Sequence, residues 1–381
     1  MEFNILLIMN FLKLFLKTGP KLNVLFIIPD TTHQPFGGMG TQAKGLIDSC
    51  ENINFIEHNP SSILPFHLNS DISQGTIFGQ LYGQAFNLPS KDSLKNIDIV
   101  HSFDASTSIQ GRAIATHLSV PHVMTLQLSM HWLLTNIYKN HNSLFSTVEL
   151  SSISMADAMI HVSKEYLNFY GSINPNSYYM PNGIDFDYWQ SVPYVPVSLP
   201  GRKNAKKLCY IGRYAEMKNI EGIVGANIPK DVDMYFIGGD RGGQEKYFKA
   251  MLNFVDKHEN AYYLGEKHGT DKINTLKSMD AMIVPSHHEP FGIVCLEALA
   301  SGCILLSSFE SGMKEYLTED IAINCGTSTD AITAAIEYWL TINDTETRIQ
   351  KGYDLCKNYS WTKAGIMLEG IYRKVLENWG K

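Results

Sequence analysis

Short apolar runs separated by polar, glycine-containing turns recur along the whole chain. Runs typical of buried parallel strands lie at residues 22–28, 97–101, 122–126, 156–163, 208–211, 234–239, 261–265, 281–284 and 303–306. Helical patterns follow most of them. Strands that alternate with helices predict βαβ units, and therefore an α/β fold built on parallel sheets.

The clearest of these units spans residues 281–306. An apolar strand, A-M-I-V, breaks at Pro285 and is followed by the polar loop Ser286–Glu289. Pro290 then precedes a helix predicted at Ile293–Ala300, which Gly302 ends, and the next strand follows at once. In parallel α/β units ligands bind beyond the carboxyl ends of the strands, where helix N-termini offer free N–H groups.

Two carboxylates, Glu289 in the loop and Glu297 in the helix, stand seven residues apart in this unit. Glu289 can accept hydrogen bonds from the hydroxyl groups of a ligand that lies over the loop. Glu297 can reach a ribose diol. The alternative is a surface carboxylate and a glutamate favoured by the helix dipole.

Two further stretches have the composition of phosphate-binding loops. Gly37-Gly38-Met39-Gly40 precedes a helical pattern and is suited to close backbone approach to a phosphate or sugar, or is a simple turn. Arg213 follows a strand end, and Lys218 comes five residues later. Two cations at a helix start would neutralise a diphosphate leaving group, whereas an exposed Arg and Lys are the alternative.

Composition narrows the class of protein without identifying it. The chain has 381 residues, 44% hydrophobic and 18% charged, which is enough for two globular domains. Its net charge of −7 disfavours a broad nucleic-acid surface. The six cysteines form no C-x-x-C pair, so we expect buried, reduced thiols and a cytoplasmic protein.

Residues 1–19 carry an apolar helical face without the features of a signal peptide, and they are too short to span a bilayer. A helix packed on the protein or a leader before a later start is favoured. An interfacial helix, which would give peripheral membrane contact and a membrane-associated protein, is the alternative.

The stretch H-E-P-F-G-I-V-C-L-E-A-L-A-S-G closely resembles the E-x7-E signature of retaining GT-B glycosyltransferases of the family-four type, the glycosyl transferases group 1. G-R-x-x-x-x-K from Gly212, the G-G loop at Gly37 and P-N-G-I-D from Pro181 are similar to further motifs of that family. The resemblance covers about residues 22–381. It implies two Rossmann-like domains that face each other across a cleft, with a C-terminal helix that returns to the first domain.

The resemblance also implies the roles of individual residues. Arg213 and Lys218 would bind the donor diphosphate, Glu289 the sugar hydroxyls and Glu297 the ribose, with no divalent metal and no cofactor required. The further donor-binding positions would be Gly37, Gly38, Gly239, Phe291, Gly292 and Ile293. Gly38 would close over the donor from the first domain.

The chain departs from the family pattern at the end of the strand 122–126, where relatives carry a histidine. Gln127 stands there, and His131 follows four residues later, so either side chain could take this catalytic position. The strand end H-S-F-D resembles the family's H-x-H, with Phe103 in place of the second histidine. We place His101 and Asp104 of this segment on the acceptor side.

Predicted boundaries are an N-terminal extension at 1–20, an acceptor domain at 21–190, a linker at 191–207, a nucleotide-sugar donor domain at 208–357 and the returning helix at 358–381. The basic run that begins at Arg202 is interpreted as a solvated linker. The D-x-D patterns at Asp185 and Asp231 are interpreted as accidental rather than as metal sites.

These observations predict a retaining hexosyltransferase that uses a UDP- or GDP-hexose, with UDP-glucose favoured. The acceptor hydroxyl could belong to a glycan, a lipid or a modified nucleobase. A GT-B epimerase or phosphorylase, or a non-catalytic protein that binds sugar nucleotides, are the alternatives.

Overall fold

The computed structural model describes residues 20–28, 37–58, 94–139, 144–239 and 244–380. The described residues form two compact units. Unit 1 contains the described residues up to Gly183 together with those from Trp361 onward, and unit 2 is Ile184–Ser360. The predicted changes of domain lie close to these positions, at residues 190 and 358.

Unit 1 is built on a six-stranded parallel sheet with the strand order β2-β1-β3-β4-β5-β6. Its strands are β1 (Leu22–Ile27), β2 (Ile53–His58), β3 (Ile99–Phe103), β4 (His122–Leu126), β5 (Ala158–His161) and β6 (Ser177–Tyr179). Its described helices before unit 2 are α1 (Gly38–Ser49), α2 (Asp104–Leu118), α3 (Met130–Asn136), α4 (Leu144–Met155) and α5 (Lys164–Tyr170). The central strands β3, β4 and β5 are buried at every position, which explains their continuous apolar runs.

Unit 2 repeats this architecture with the strand order β12-β11-β10-β7-β8-β9, again parallel throughout. Its strands are β7 (Lys206–Ile211), β8 (Val232–Ile237), β9 (Ala261–Tyr263), β10 (Ala281–Val284), β11 (Ile304–Ser307) and β12 (Ala322–Asn324). Its described helices are α6 (Phe186–Ser191), α7 (Ile220–Gly225), α8 (Glu245–Lys257), α9 (Gly269–Lys277), α10 (Ile293–Ala300), α11 (Thr329–Thr341) and α12 (Thr345–Asn358). Two α/β units with parallel sheets confirm the predicted fold class.

The last helix, α13 (Trp361–Asn378), belongs to unit 1, as predicted. It packs on α1, where Trp361 fills the space that a side chain at Gly45 would need. The Ser49 hydroxyl donates to the Trp361 carbonyl over 3.0 Å. Deeper in the unit, the hydroxyl of Tyr372 lies 2.5 Å from Nδ1 of the buried His101.

Several local predictions differ from the structure. The sequence after Met313 predicts a helix that begins at Lys314, whereas the structure has only a 3₁₀ turn there, Ser311–Glu315. The linker is also more ordered than a solvated basic run, because Arg202 donates to the fully buried Asp233 through its backbone N–H, Nε and Nη2. A buried aspartate needs such charged donors, and Asp233 anchors the linker to β8.

The remaining expectations concern segments and single groups. Asp185 accepts from the Tyr188 N–H over 3.0 Å and caps α6, so this half of the first D-x-D pattern has a structural role. All six cysteines of the sequence are free and buried. Within the described ranges no helix is long and apolar enough to cross a membrane. The N-terminal segment 1–19, for which a packed helix or a leader is predicted and an interfacial helix is the alternative, lies outside the described residues.

Candidate functional site

The cation loop of unit 2 begins where β7 ends. The backbones of Gly212 and Gly238 approach so closely that a Cβ on Gly238 would overlap the Gly212 carbonyl oxygen, which brings the ends of β7 and β8 together. Arg213 follows directly, and its carbonyl oxygen accepts from the Tyr210 hydroxyl over 2.6 Å. Arg213 therefore projects from a fixed point at the carboxyl edge of the sheet.

Lys218 and Glu289 form an ion pair across 71 residues of sequence. Lys218 ends a 3₁₀ turn that begins at Glu216, and Glu289 lies in the loop after β10. Their side chains are 15% and 12% exposed, so the pair is mostly withdrawn from water but still reachable. The structure thus joins two of the predicted site residues, one cation and one carboxylate.

The loop that carries Glu289 is fixed by the 3₁₀ turn Ser311–Glu315. The Gly312 N–H donates to the Glu289 carbonyl over 3.0 Å, and a Cβ on Gly312 would overlap the Pro290 carbonyl oxygen. Next to Glu289, Nδ1 of the buried His288 lies 2.5 Å from the Ser311 hydroxyl. Burial, followed by the positive charges of Lys218 and Lys314, lowers the pKa of His288 to about 3, so this imidazole is neutral at physiological pH.

The predicted helix of this unit is found at its expected bounds, Ile293–Ala300. Gly292 precedes it with φ 83°, in the left-handed region that favours glycine, and a Cβ there would lie 3.0 Å from Cγ of Glu289. The Phe291 and Gly292 carbonyls accept from the Tyr316 hydroxyl over 2.7 and 3.2 Å. The start of the helix is therefore held directly beside Glu289.

Glu297 is buried within α10, and its Oε1 lies 2.5 Å from the ammonium group of Lys272. Lys272 belongs to α9. Its side chain is 24% exposed, and that of Glu297 is 11% exposed. The sequence contains no local signal for this partner. Gly239, another predicted donor position, lies two residues after the end of β8. It lies against Glu266, whose Oε1 would overlap a Cβ at Gly239.

Asn219 is an organising residue that the sequence analysis missed. It has φ 57°, and its Nδ2 donates to the carbonyls of Pro285 and Thr327 over 3.0 and 2.7 Å. Its Oδ1 accepts from the Gly222 N–H and caps α7. Asn219 thereby ties the segment after Lys218 to the start of the Glu289 loop. An asparagine before a helical pattern is a cap signal that could have indicated half of this role.

In unit 1 the predicted residues gather at the carboxyl end of β4. The side-chain amides of Gln127 and Asn182 form two reciprocal hydrogen bonds of 3.1 and 3.2 Å. A Cβ on Gly38, the first residue of α1, would lie 4.0 Å from Oε1 of Gln127. Gly37 precedes it as the N-cap residue. The glycine loop and the strand-end glutamine are thus neighbours.

Asp104 fixes the backbone at Gln127 through hydrogen bonds. It has φ 55°, and its Oδ1 accepts from the Gln127 and Leu128 N–H groups over 2.6 and 3.3 Å. His131 lies one turn further on, in α3, with its ring centroid 6.1 Å from that of Phe169. The structure places Gln127, and not His131, at the strand end.

His101 differs from its expected acceptor-side position. The side chain is fully buried in the interior of unit 1, with Nε2 2.7 Å from the Thr125 hydroxyl and Nδ1 bonded to Tyr372. Both ring nitrogens are therefore used inside the unit. Asp104 is likewise buried, and its carboxylate accepts from backbone N–H groups at the β4 strand end.

Among the described residues, no group of three or more His, Cys, Asp or Glu side chains is arranged to hold a metal ion. The predicted site carboxylates Glu289 and Glu297 are each paired with a lysine. Such pairs offer cations to phosphate groups and carboxylates to hydroxyl groups, which is the chemistry of a sugar-phosphate ligand.

Part of the chain is similar to known proteins. Residues 196–353 match the family model described as glycosyl transferases group 1. An uncharacterised glycosyltransferase of Methanocaldococcus jannaschii is 23% identical over 59% of this chain and 60% of the relative. The alpha-maltose-1-phosphate synthase of Mycolicibacterium smegmatis is 26% identical over 58% of this chain and 62% of its own length. The chain spans about three fifths of the length of these curated relatives.

Solved structures resemble the whole fold. Sucrose-phosphate synthase from Thermosynechococcus elongatus superposes with a TM-score of 0.75 at 16% identity, over 94% of this chain and 100% of that chain. An Anabaena protein in complex with UDP-glucose gives a TM-score of 0.66 at 12% identity, over 93% and 100%. At these identities the likeness concerns the fold, and it confirms the predicted GT-B architecture.

Proposed function

We propose that this chain, which has the GT-B fold and whose residues 196–353 belong to the glycosyl transferases group 1, is a retaining hexosyltransferase. Its donor is a UDP- or GDP-hexose, with UDP-glucose favoured because a similar structure was solved with that ligand. The acceptor is a hydroxyl group of a glycan, a lipid or a modified nucleobase. The observation that carries the proposal is the Lys218–Glu289 pair at the carboxyl edge of the unit 2 sheet.

When the donor binds, its diphosphate replaces Glu289 as the ion-pair partner of Lys218. A diphosphate brings more negative charge than one carboxylate, so the ammonium group exchanges its partner when the donor binds. Arg213, fixed at the end of β7, supplies the second cation and can donate two parallel hydrogen bonds. Glu289, once released, accepts hydrogen bonds from the sugar hydroxyls.

The remaining donor contacts come from α10 and its N-terminus. The N–H groups of Phe291, Gly292 and Ile293 face the sugar or the phosphates, because a helix N-terminus favours anions. Glu297 binds the ribose diol through its second carboxylate oxygen while Lys272 holds the first. Gly239 lets the ligand approach the backbone after β8.

Gly37 and Gly38 are the donor-binding positions proposed in unit 1, and Gly38 lies next to Gln127. In this proposal Gln127 takes the strand-end position, as a neutral hydrogen-bonding group held by Asn182 and Asp104. His131 lies four residues further on, in α3, and is the alternative group for this position. Asp104 then acts through Gln127 and does not contact the acceptor.

In the reaction the bond between the anomeric carbon and the diphosphate oxygen breaks while the acceptor oxygen attacks from the same face. The acceptor proton passes to the leaving diphosphate, and the anomeric configuration is retained. Lys218 and Arg213 stabilise the charge that develops on the leaving group. No carboxylate nucleophile is needed, unlike in a retaining glycoside hydrolase.

The first test is a thermal-shift screen with UDP, GDP and a panel of their sugars. A ligand at about 100 times its Kd raises the free energy of unfolding by roughly 2.7 kcal/mol, so a true donor gives a clear shift. The best ligand is then incubated alone and its slow hydrolysis is followed by proton NMR. Release of the sugar with its original anomeric configuration supports the proposal.

The alternatives give other products in the same assay. An epimerase returns an isomerised sugar nucleotide, and a phosphorylase turns over only when inorganic phosphate is added. A binding protein shows a thermal shift without hydrolysis. Release of the sugar with inverted configuration would refute the retaining mechanism.

A further inference from the structure

In the turn from β4 into α3, each backbone N–H from Gln127 to Trp132 donates a hydrogen bond to a side-chain oxygen. Gln127 and Leu128 donate to Asp104, and Ser129 donates to the Tyr166 hydroxyl. Met130 and His131 donate to the two carboxylate oxygens of Glu149, and Trp132 donates to the Ser129 hydroxyl. Six consecutive donors outside the sheet ladder are thus satisfied by side chains, which fixes the turn in one conformation.

Glu149 occupies the centre of this arrangement. It belongs to α4, is fully buried, and accepts from three donors: the Ser129 hydroxyl at 2.5 Å, the Met130 N–H at 2.9 Å and the His131 N–H at 3.0 Å. The Ser129 hydroxyl is also bonded to that of Tyr170. Burying a carboxylate costs folding free energy unless it is well hydrogen-bonded, so keeping an acidic group here lowers the stability of the fold.

We propose that Glu149 is a positioning residue that, as a carboxylate, holds the segment 127–132 in place and thereby sets Gln127 and His131 for sugar transfer. Its catalytic consequence rests on the proposed function, whereas the ordering of the segment does not. Glu149 bonds to His131 at its backbone N–H and acts through the turn. Asp104 fixes the start of the same turn, and Glu149 fixes its end.

The ionisation of Glu149 couples this turn to pH. Burial raises the pKa of Glu149 to about 7, against the lowering effect of its three hydrogen bonds. The ionisable groups around it are Tyr166 and Tyr170 of α5, His131 of α3 and Asp104 of α2, with His161 stacked on Tyr170. Burial raises the pKa of both tyrosines and lowers that of His161 to about 4, so these three stay neutral near pH 7. The three hydrogen bonds lower this pKa, so a local opening that breaks them while Glu149 stays buried is favoured by protonation, and the turn loosens as the pH falls.

The test is peptide-resolved hydrogen exchange on the full chain, comparing wild type with Glu149→Gln. The amide keeps the shape of the side chain but presents an NH₂ group to one of the donors, so segment 127–132 should exchange about tenfold faster. Peptides of β5 and α5 should be unchanged. Unchanged exchange in 127–132 would overturn the proposal, and so would acceleration spread over all of unit 1, which indicates a merely structural role.

The matched control is Glu369→Gln. Glu369 is also a buried glutamate of unit 1, bonded to Arg373 within α13, and its substitution should leave the exchange of 127–132 as it is in wild type. If Glu149→Gln does not fold, the same hydrogen-exchange measurement is made on Ser129→Ala. It removes the hydroxyl that links Glu149, Tyr170 and the Trp132 N–H, so a confined acceleration supports the proposal and none overturns it.

The pH arm assigns the effect to the carboxylate. After correction for intrinsic rates, protection of 127–132 in wild type should rise between about pH 6 and about pH 8, and it should be flat in Glu149→Gln. A pH dependence that persists in the variant would assign it to another group, such as His131, and would refute this part of the inference.

Kinetics separates the inference from the proposed function. In Glu149→Gln the kcat for UDP-glucose hydrolysis should fall about tenfold or more, because small misplacements of catalytic groups are costly, while the Kd for UDP stays unchanged. An unchanged kcat with a loosened segment would refute the catalytic consequence. Absence of hydrolysis in the wild type would count against the proposed function alone, since the exchange experiment does not depend on it.

Discussion

At the scale of single residues, Lys218, proposed to bind the diphosphate, and Glu289, proposed to bind the sugar hydroxyls, neutralise each other's charge in an ion pair. Lys218 and Glu289 are mostly buried, and neither could remain there unpaired without a large desolvation penalty. The pair therefore keeps both charges in the site before any ligand arrives. When a diphosphate binds, it replaces the carboxylate as the partner of Lys218, and Glu289 turns to hydroxyl groups.

Lys218→Ala should reduce turnover of UDP-glucose at least about a hundredfold, on the scale of losing one preorganised electrostatic donor, roughly 3–4 kcal/mol. The measurement is kcat for donor hydrolysis or transfer. Lys351→Ala is the matched control, because Lys351 forms an exposed ion pair of 2.8 Å with Asp320 on the same unit. Near wild-type turnover in Lys218→Ala would defeat the assignment to the leaving group.

Glu289→Ala should abolish donor hydrolysis and transfer while binding of free UDP persists, because UDP has no sugar hydroxyls beyond its ribose. Removal of the carboxylate also frees Lys218, so UDP binds at least as tightly as it does to the wild type. Calorimetry with UDP and an activity assay with UDP-glucose check the two parts. If the variant no longer bound UDP, Glu289 would have a role in the nucleotide site instead.

At the scale of elements, the site loop of unit 2 depends on contacts from outside the central βαβ unit. Asn219 holds the loop at Pro285, the Gly312 N–H holds it at Glu289, and the Tyr316 hydroxyl holds the start of α10. The loop has no regular structure of its own between β10 and α10. Its geometry is therefore imposed by the neighbouring 3₁₀ turn and by the segment after Lys218.

Gly312→Ala should impair the site more than the fold. The added Cβ would overlap the Pro290 carbonyl oxygen, and since that atom is backbone, the loop must move, at a cost of about 1–3 kcal/mol. We expect a lower Tm and a larger loss in UDP-glucose turnover than the stability change explains. Gly370→Ala, in α13 with nothing within 4 Å of the new Cβ, is the control and should keep activity. Full activity in Gly312→Ala would show that the loop tolerates the shift.

At the scale of the whole molecule, the two units differ in their buried histidines. Burial lowers the pKa of His101 and His122 to about 3 and that of His161 to about 4, and all three lie in unit 1. In unit 2 the corresponding residue is His288. A depressed histidine pKa means that the unfolded chain binds the proton more readily, so stability falls as pH drops below about 6.5.

We therefore expect unit 1 to open before unit 2 on acidification. At about pH 5 each deeply buried histidine costs roughly 2 kcal/mol relative to neutral pH. Glu149 acts in the opposite direction, because its raised pKa lowers stability as pH rises from 4.5 to about 7, but it is one group against three. Hydrogen exchange of peptides from each unit over a pH series measures this. Opening of unit 2 first, or of both units together, would contradict it.

Local sequence patterns were sufficient for the elements of the site. The strand β10 and the helix α10 have the predicted bounds, because an apolar run, a proline and a glycine act within a few residues of themselves. The return of α13 was likewise predictable, whereas the predicted glycine loop is mostly helical, because α1 already begins at Gly38. The helix expected from Lys314 failed, since contacts with the Glu289 loop hold that segment as a 3₁₀ turn.

The sequence by itself determined the alternation of strands and helices and the types of charged residue at their ends, because backbone preferences and burial patterns are local. Only the tertiary structure decided which charges meet. Lys218 reaches Glu289, Lys272 reaches Glu297, and Glu149 reaches the turn after β4, while His101 is withdrawn into the interior. Partners so far apart in sequence are chosen by the packing of whole elements, and no local pattern encodes that choice.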